Sequence, residues 1–242
     1  MRMKSFLLPA IFAFTAIGHS APVEAADFVL ALSWQPAFCE VAARRPECAS
    51  QDESRFDADH FALHGLWPQS AYRSYCNVPQ ADVAQDKSGH WRKLPMAALS
   101  PDLRAELDVA MPGTRSGLER HEWLKHGTCI TGATPQSYYA ASLAILKAVN
   151  ASPVRNLFAD HVGKEVSGAE IRKAFDTAFG AGAGGRVRIA CRRDGERRLI
   201  SEITLGLSGE LGATPDIAAM IAAAPVTKPG CPGGIVDATG LQ

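Results

Sequence analysis

Val187-Arg-Ile-Ala-Cys-Arg-Arg-Asp-Gly-Glu-Arg-Arg-Leu-Ile-Ser-Glu-Ile-Thr-Leu205 holds two strand-like runs, Val187–Cys191 and Arg198–Leu205, on either side of Asp194-Gly195. An Asp-Gly pair between such runs predicts a β-hairpin. At the other end of the chain, Asp27-Phe-Val-Leu-Ala-Leu-Ser-Trp34 and Phe61-Ala-Leu-His-Gly-Leu-Trp67 read as buried strands, the second stopped by Pro68. Helix signals fill the interval. Ser100-Pro101 predicts a helix to about Ala110, and Thr134-Pro135 one to about Val149. Ser116-Gly-Leu-Glu119 and Ser167-Gly-Ala-Glu170 have the capping-box pattern, with Gly127 and Gly180 as stops. Residues 69–99, rich in Ser, Asp, Asn and Gly, read as a long surface excursion, and such loops tend to be functional. Strands at both ends with helices between them predict an α+β fold, not a regular βαβ alternation.

The amino terminus has a basic start, Met-Arg-Met-Lys, then the apolar run Phe6–Gly18, and small residues before a cut near Ala25 or Ala26. That is the plan of a secretory signal peptide over residues 1–25; the run is too short for a membrane span and contains Pro9. The remainder, 26–242, fits one domain. Export to a periplasm or to the medium, and a monomer free of the membrane, are the corresponding expectations. Lys plus Arg and Asp plus Glu each number 25, so a nonspecific, strongly basic nucleic-acid coat protein is excluded. A nuclease is not, because catalysis needs only a local group of cations. Cys39, Cys48, Cys76, Cys129, Cys191 and Cys231 form an even set, which in an exported chain argues for three disulfides. Fifteen pairings are open, with Cys39–Cys48 the easiest local bridge. No Cys-x-x-Cys unit suggests structural zinc.

The densest chemistry is Arg120-His-Glu-Trp-Leu-Lys-His-Gly-Thr-Cys129. On a helix, Glu122, Lys125, His126 and Cys129 share one face, with His121 on its shoulder and Trp123 and Leu124 turned toward a core. A zinc reading fails on spacing. His121 and His126 are one residue further apart than in His-Glu-x-x-His, and stand about 140° apart around a helix. The bland alternative is a solvated charged face. The chemical one is an acid–base site for phosphoryl transfer, with histidines moving protons and a cation meeting developing charge. A second cluster, His64-Gly-Leu-Trp-Pro68, places a histidine at a strand end beside an aromatic residue. Alone, such a His is more often a hydrogen-bonded core residue, and such a Trp plain packing.

Together the two segments resemble the catalytic segments of the ribonuclease T2 family. Leu30-Ala-Leu-Ser-Trp34 with Phe38-Cys39, and Met111-Pro-Gly113 leading to Leu118-Glu-Arg120, resemble its bacterial periplasmic branch. The likeness is good over 27–130 and weaker beyond. It implies a central, mainly antiparallel sheet flanked by helices. It also implies metal- and cofactor-independent cleavage of single-stranded RNA: the 2′-oxygen attacks phosphorus to give a 2′,3′-cyclic phosphate, which water then opens. By the resemblance, His126 is the general base, His64 the general acid, Lys125 the charge-stabilising cation, Glu122 its carboxylate companion and His121 a phosphate-binding histidine. A place near a helix C-terminus would favour the protonated form of a histidine such as His126. Trp67 matches the base-stacking platform. Gln69 replaces a carboxylate that many members carry, which suggests broad base preference; Tyr72 and Tyr75 lie close enough in sequence to assist. The family pattern implies the disulfides Cys39–Cys48, Cys76–Cys129 and Cys191–Cys231. Arg186, Arg188, Arg192, Arg193, Arg197 and Arg198 around the hairpin read as a solvated face, partly cancelled by Asp194 and Glu196. A catalytically silent RNA-binding protein and a zinc hydrolase are the rival functions.

Overall fold

β1 (Phe28–Ser33) is the strand around which the sheet is built. Leu30, Ala31 and Leu32 are fully buried, and β1 pairs on both sides with antiparallel neighbours: β2 (Ala62–Pro68) and β5 (Arg197–Leu207). The coordinates are a computed structural model in which residues 25–69, 73–212 and 214–242 are described. The expected leader lies outside them through residue 24, as does Tyr72. β3 (Glu165–Ser167), β4 (Val187–Asp194) and β6 (Gly233–Ile235) complete a sheet ordered β2-β1-β5-β6-β3, with β4 also on β5. All ladders are antiparallel except the single β5–β6 pairing of Leu199 with Ile235. The α+β reading with a mainly antiparallel sheet holds.

The helices are α1 (Gln35–Ala42), α2 (Pro46–Ala49), α3 (Gln80–Lys87), α4 (Pro101–Ala110), α5 (Leu118–Lys125), α6 (Pro135–Asn150), α7 (Pro153–Ala159), α8 (Gly168–Phe179) and α9 (Ile217–Ala223). Three begin as their sequences predict. Ser100, Thr134 and Ser167 cap α4, α6 and α8 through their side chains, the last two in full capping boxes. α6 is the main helical wall: the Tyr138 hydroxyl accepts from the Leu66 N–H and donates to the Leu66 carbonyl, fastening the helix to β2. Trp34, Phe61 and Phe158 form an aromatic knot with centroids 4.6 to 5.5 Å apart, and Asn150 clasps both backbone groups of Phe61. Among the described residues no helix is long and apolar enough to cross a membrane.

Three expectations need correction. The excursion at 69–99 is not all loop, because it contains α3 and a 3₁₀ turn at Trp91–Lys93. Ser116 does not cap α5. Its hydroxyl donates to Glu47, Gly117 takes the N-cap place with φ of 82°, and Glu119 is buried against Arg104 and Arg120 instead. The hairpin turns one residue later than Asp194-Gly195: Asp194 pairs with Arg197, leaving Gly195 and Glu196 as the loop. The three disulfides join Cys39–Cys48, Cys76–Cys129 and Cys191–Cys231, as the resemblance implies.

Candidate active site

His64 stands at an irregularity in the sheet. Ala31 faces Gly65 across the β1–β2 ladder, but the next β1 residue, Leu32, faces Leu63. His64 is the extra residue, and a bulge of this kind re-aims a side chain. Here it sends the imidazole toward β5, where Nδ1 lies 2.6 Å from Glu202 Oε2. The other ring nitrogen, Nε2, faces Glu122 Oε1 at 3.7 Å.

Glu122 is the buried centre of the group, 1% exposed. Its Oε2 accepts from the Trp67 indole N–H at 2.8 Å. The carboxylate fits because residue 65 is glycine: a Cβ there would lie 2.0 Å from Glu122 Oε2 and 2.8 Å from Trp67 Nε1. Burial pushes the Glu122 carboxyl upward, against the opposing pull of His64, His121, the Trp67 hydrogen bond and Lys125.

Trp67 neighbours both histidines of the expected acid–base pair, with ring centroids 5.3 Å from His64 and 5.7 Å from His126. His126 follows the last residue of α5, and Gly127–Cys129 then tightens into a 3₁₀ turn. The helical-wheel expectation therefore fails past Lys125. Cys129 leaves the wheel, and the rings of His121 and His126 approach to 6.4 Å. Ligand atoms of His121, Glu122 and His126 lie within 4.8 Å of one another, so the angular argument that these two histidines cannot serve one metal is overturned. The dipole expectation fails as well. Burial first, then the charges of Lys125, His121 and His64, depress the His126 pKa to about 3.

His64 moves the other way. Burial opposes its charge, but the hydrogen bond to Glu202 and the attraction of Glu122 and Glu202 exceed that penalty and raise its pKa. The surroundings thus favour the neutral form of one imidazole and the charged form of the other, the division of labour that acid–base catalysis uses.

His121 is fixed from behind. Its Nδ1 lies 2.8 and 2.9 Å from the Asp86 carboxylate oxygens, its ring stacks on Trp91 at 4.4 Å, and Nε2 faces Glu122 at 3.9 Å. Asp86, on α3, is also held by the Tyr75 hydroxyl at 2.7 Å. Tyr75 therefore points to Asp86 and not to Trp67. Its neighbourhood is tightly fastened: Tyr75 and Asn77, both with left-handed φ (57° and 58°), flank disulfide-bonded Cys76, and the Tyr75 N–H donates to the Lys125 carbonyl. Lys125 acts electrostatically on His64, Glu122 and His126. Trp123 and Leu124 turn toward the core as expected, Trp123 against Tyr138 at 5.8 Å.

His64, Trp67, His121, Glu122, Lys125 and His126 thus converge. Gln69 does not join them: its side-chain amide donates to the Trp67 carbonyl at 3.0 Å, and it lines a separate cavity of about 290 Å³ with Val29 and Thr204. Three residues at the site escaped the sequence reading: Glu202, Asp86 and Trp91. An acid in the middle of the apolar run Leu199–Leu205 was a usable signal for Glu202; Asp86 and Trp91 were hidden in the excursion.

Residues 26–216 match the ribonuclease T2 family. The chain is similar to ribonuclease I of Escherichia coli, 30% identical over 209 residues that cover 76% of this chain and 75% of that protein. Other curated ribonucleases are matched over about half of their length or less. Among solved structures, the fold is similar to trichomaglin, described as an S-like ribonuclease (TM-score 0.57, 19% identity, 90% of this chain and 100% of that one). It is also similar to the Japanese pear S3-RNase (TM-score 0.56, 16% identity, 86% and 97%). With the family's pattern running through the bulge at His64 and the end of α5, the chain belongs to the ribonuclease T2 family.

Proposed function

We propose that residues 26–242 form one catalytic domain of an exported, monomeric endoribonuclease, periplasmic or extracellular, that cuts single-stranded RNA without a metal or cofactor. The observation that carries this reading is the pair of imidazoles that both adjoin Trp67 and have opposite protonation preferences. Neutral His126 takes the 2′-hydroxyl proton as the 2′-oxygen attacks phosphorus. The P–O5′ bond breaks, and charged His64 passes its Nε2 proton to the departing 5′-oxygen, its Nδ1 being engaged by Glu202. The products are a 2′,3′-cyclic phosphate and a 5′-hydroxyl end; water then opens the ring to a 3′-phosphate with the two histidines in reversed roles.

Charge on the pentacoordinate phosphorus is met by Lys125 and by His121, whose Nδ1 is held by Asp86, so that Nε2, 3.9 Å from Glu122 and in no hydrogen bond among the described residues, is the nitrogen offered to the phosphate. Lys125 supplies the positive charge that a divalent ion would bring, which supports a metal-free reaction. Trp67 offers a stacking face that any base can use, contributing about 1–3 kcal/mol. Gln69, turned back on the Trp67 carbonyl, adds no readout at the histidines, so base preference is broad. A cavity of about 470 Å³ adjoining His64 and Glu202 lies on the acid's side and suits the leaving nucleoside.

The test is incubation of the purified protein with single-stranded RNA and with its 2′-deoxy counterpart in excess chelator, followed by end-group analysis. Cleavage of RNA alone, leaving cyclic phosphate and 5′-hydroxyl ends, is the expected result. Cleavage of the deoxy strand, or loss of activity in chelator, contradicts the reading.

A further inference from the structure

The cavity beside His64 has a cationic rim that the two-histidine chemistry does not use. Arg45, exposed at the N-cap position of α2, and Arg192, exposed on β4, both line it. Arg45 sits with its guanidinium carbon 5.9 Å from the ring centroid of Trp91, which is another wall residue. That contact steadies the side chain and leaves its charge uncancelled.

The pairing pattern sets these two apart from arginines such as Arg55, Arg104, Arg155 and Arg197, which are committed to carboxylates. Among the described residues neither Arg45 nor Arg192 has a carboxylate partner. The two acids lining the same cavity are already engaged: Glu202 by His64, and Glu47 by the Ser116 hydroxyl. Of the six hairpin arginines, only Arg192 lines this cavity.

We propose that Arg45 and Arg192 hold the phosphate 3′ to the leaving nucleoside, so that the enzyme favours RNA chains over dinucleoside monophosphates. The inference rests on His64 as the acid. The acid stands at the 5′-oxygen of the leaving nucleoside, so that nucleoside occupies the space next to His64. The next anion along the strand is its 3′-phosphate. Guanidinium forks suit that group, giving charge-assisted, two-pronged hydrogen bonds. A dinucleoside monophosphate ends in a bare 3′-hydroxyl and forgoes both contacts.

The test compares ApA with ApAp, which differ only in the terminal 3′-phosphate, by kcat/KM at the same A-p-A bond. The wild-type protein is expected to favour ApAp by about tenfold. Its advantage should fall as salt rises, because the extra contact is between opposite charges. In an Arg45→Ala/Arg192→Ala double variant the ApAp/ApA ratio should collapse to near unity. Arg45→Lys/Arg192→Lys, which keeps charge but loses the fork, should give an intermediate ratio. Equal use of ApA and ApAp by the wild type, or an undiminished ratio in the alanine variant, overturns the inference while leaving the two-histidine mechanism standing. Failure to cleave polymeric RNA as well overturns the mechanism and the inference together.

Discussion

His64 Nδ1 and Glu202 Oε2 lie 2.6 Å apart across 138 residues of sequence. Glu202 orients the imidazole and favours its charged form. Replacing it by Gln preserves the shape and removes the charge, so the raised His64 pKa should fall. A reaction that needs His64 as an acid loses rate as pH rises through that pKa. The alkaline limb of the kcat/KM profile of Glu202→Gln should therefore move to lower pH, with the acid limb little changed. Linkage gives the same sign: a histidine whose pKa is raised by folding stabilises the fold below its unfolded pKa, and that contribution vanishes as pH rises through the folded one. An unshifted alkaline limb would mean that Glu202 only fills space.

Gly65 leaves room for the Glu122 carboxylate. Gly65→Ala should displace Glu122 and the Trp67 indole together. Overpacking of this kind costs about 1–3 kcal/mol. The displacement at the reacting centre should lower kcat/KM about a hundredfold. Denaturant unfolding alongside steady-state kinetics separates the two effects; full activity in a folded Gly65→Ala protein would show that the carboxylate's position is unimportant.

The Cys76–Cys129 bridge closes a separation of 53 residues and ties the excursion to the end of α5. Its removal as Cys76→Ser/Cys129→Ser should cost about 4 kcal/mol of stability by loop entropy. Activity should fall too, because the Tyr75 hydroxyl and Asp86 hold His121 from the same excursion. A thermal melt and an RNA assay below the variant's melting point check both parts.

Asp237 is buried beside Glu40 and Arg197, and its carbonyl receives the Trp34 indole N–H at 2.8 Å. Burial first, then Glu40, push its carboxyl up to about 6 from 3.8. Folding is thus penalised by its ionisation above about pH 6, and the penalty is relieved as pH falls toward the unfolded value. Asp237→Asn should stabilise the protein by about 2–3 kcal/mol at neutral pH and by much less near pH 4. Equilibrium unfolding at the two pH values reads the difference; a variant less stable at neutral pH contradicts it.

What the sequence made legible is local. Ser100, Thr134 and Ser167 cap helices through groups three residues away, and the strand at Phe28–Ser33 shows in its own apolar run. The residues of the site were legible through two short segments, but their arrangement was not. His64 reaches Glu202 only because the β1–β2 register slips, and a slip leaves no trace in a one-strand pattern. The helical wheel placed His126 and Cys129 on one face, yet the helix stops at Lys125. Ser116 had the pattern of a cap, but a buried Glu119 pairing with Arg104 and Arg120 decided otherwise. Each failure is a tertiary contact overriding a local preference.

The central claim is that His64 is charged while His126 is neutral under the same conditions. Ring-nitrogen NMR shifts of the labelled protein, assigned with His64→Ala and His126→Ala, measure this directly. At about pH 5, between the ordinary histidine value and that of a depressed one, His64 should give an imidazolium signal and His126 that of a neutral ring. Two charged rings, or the reverse assignment, would contradict the account.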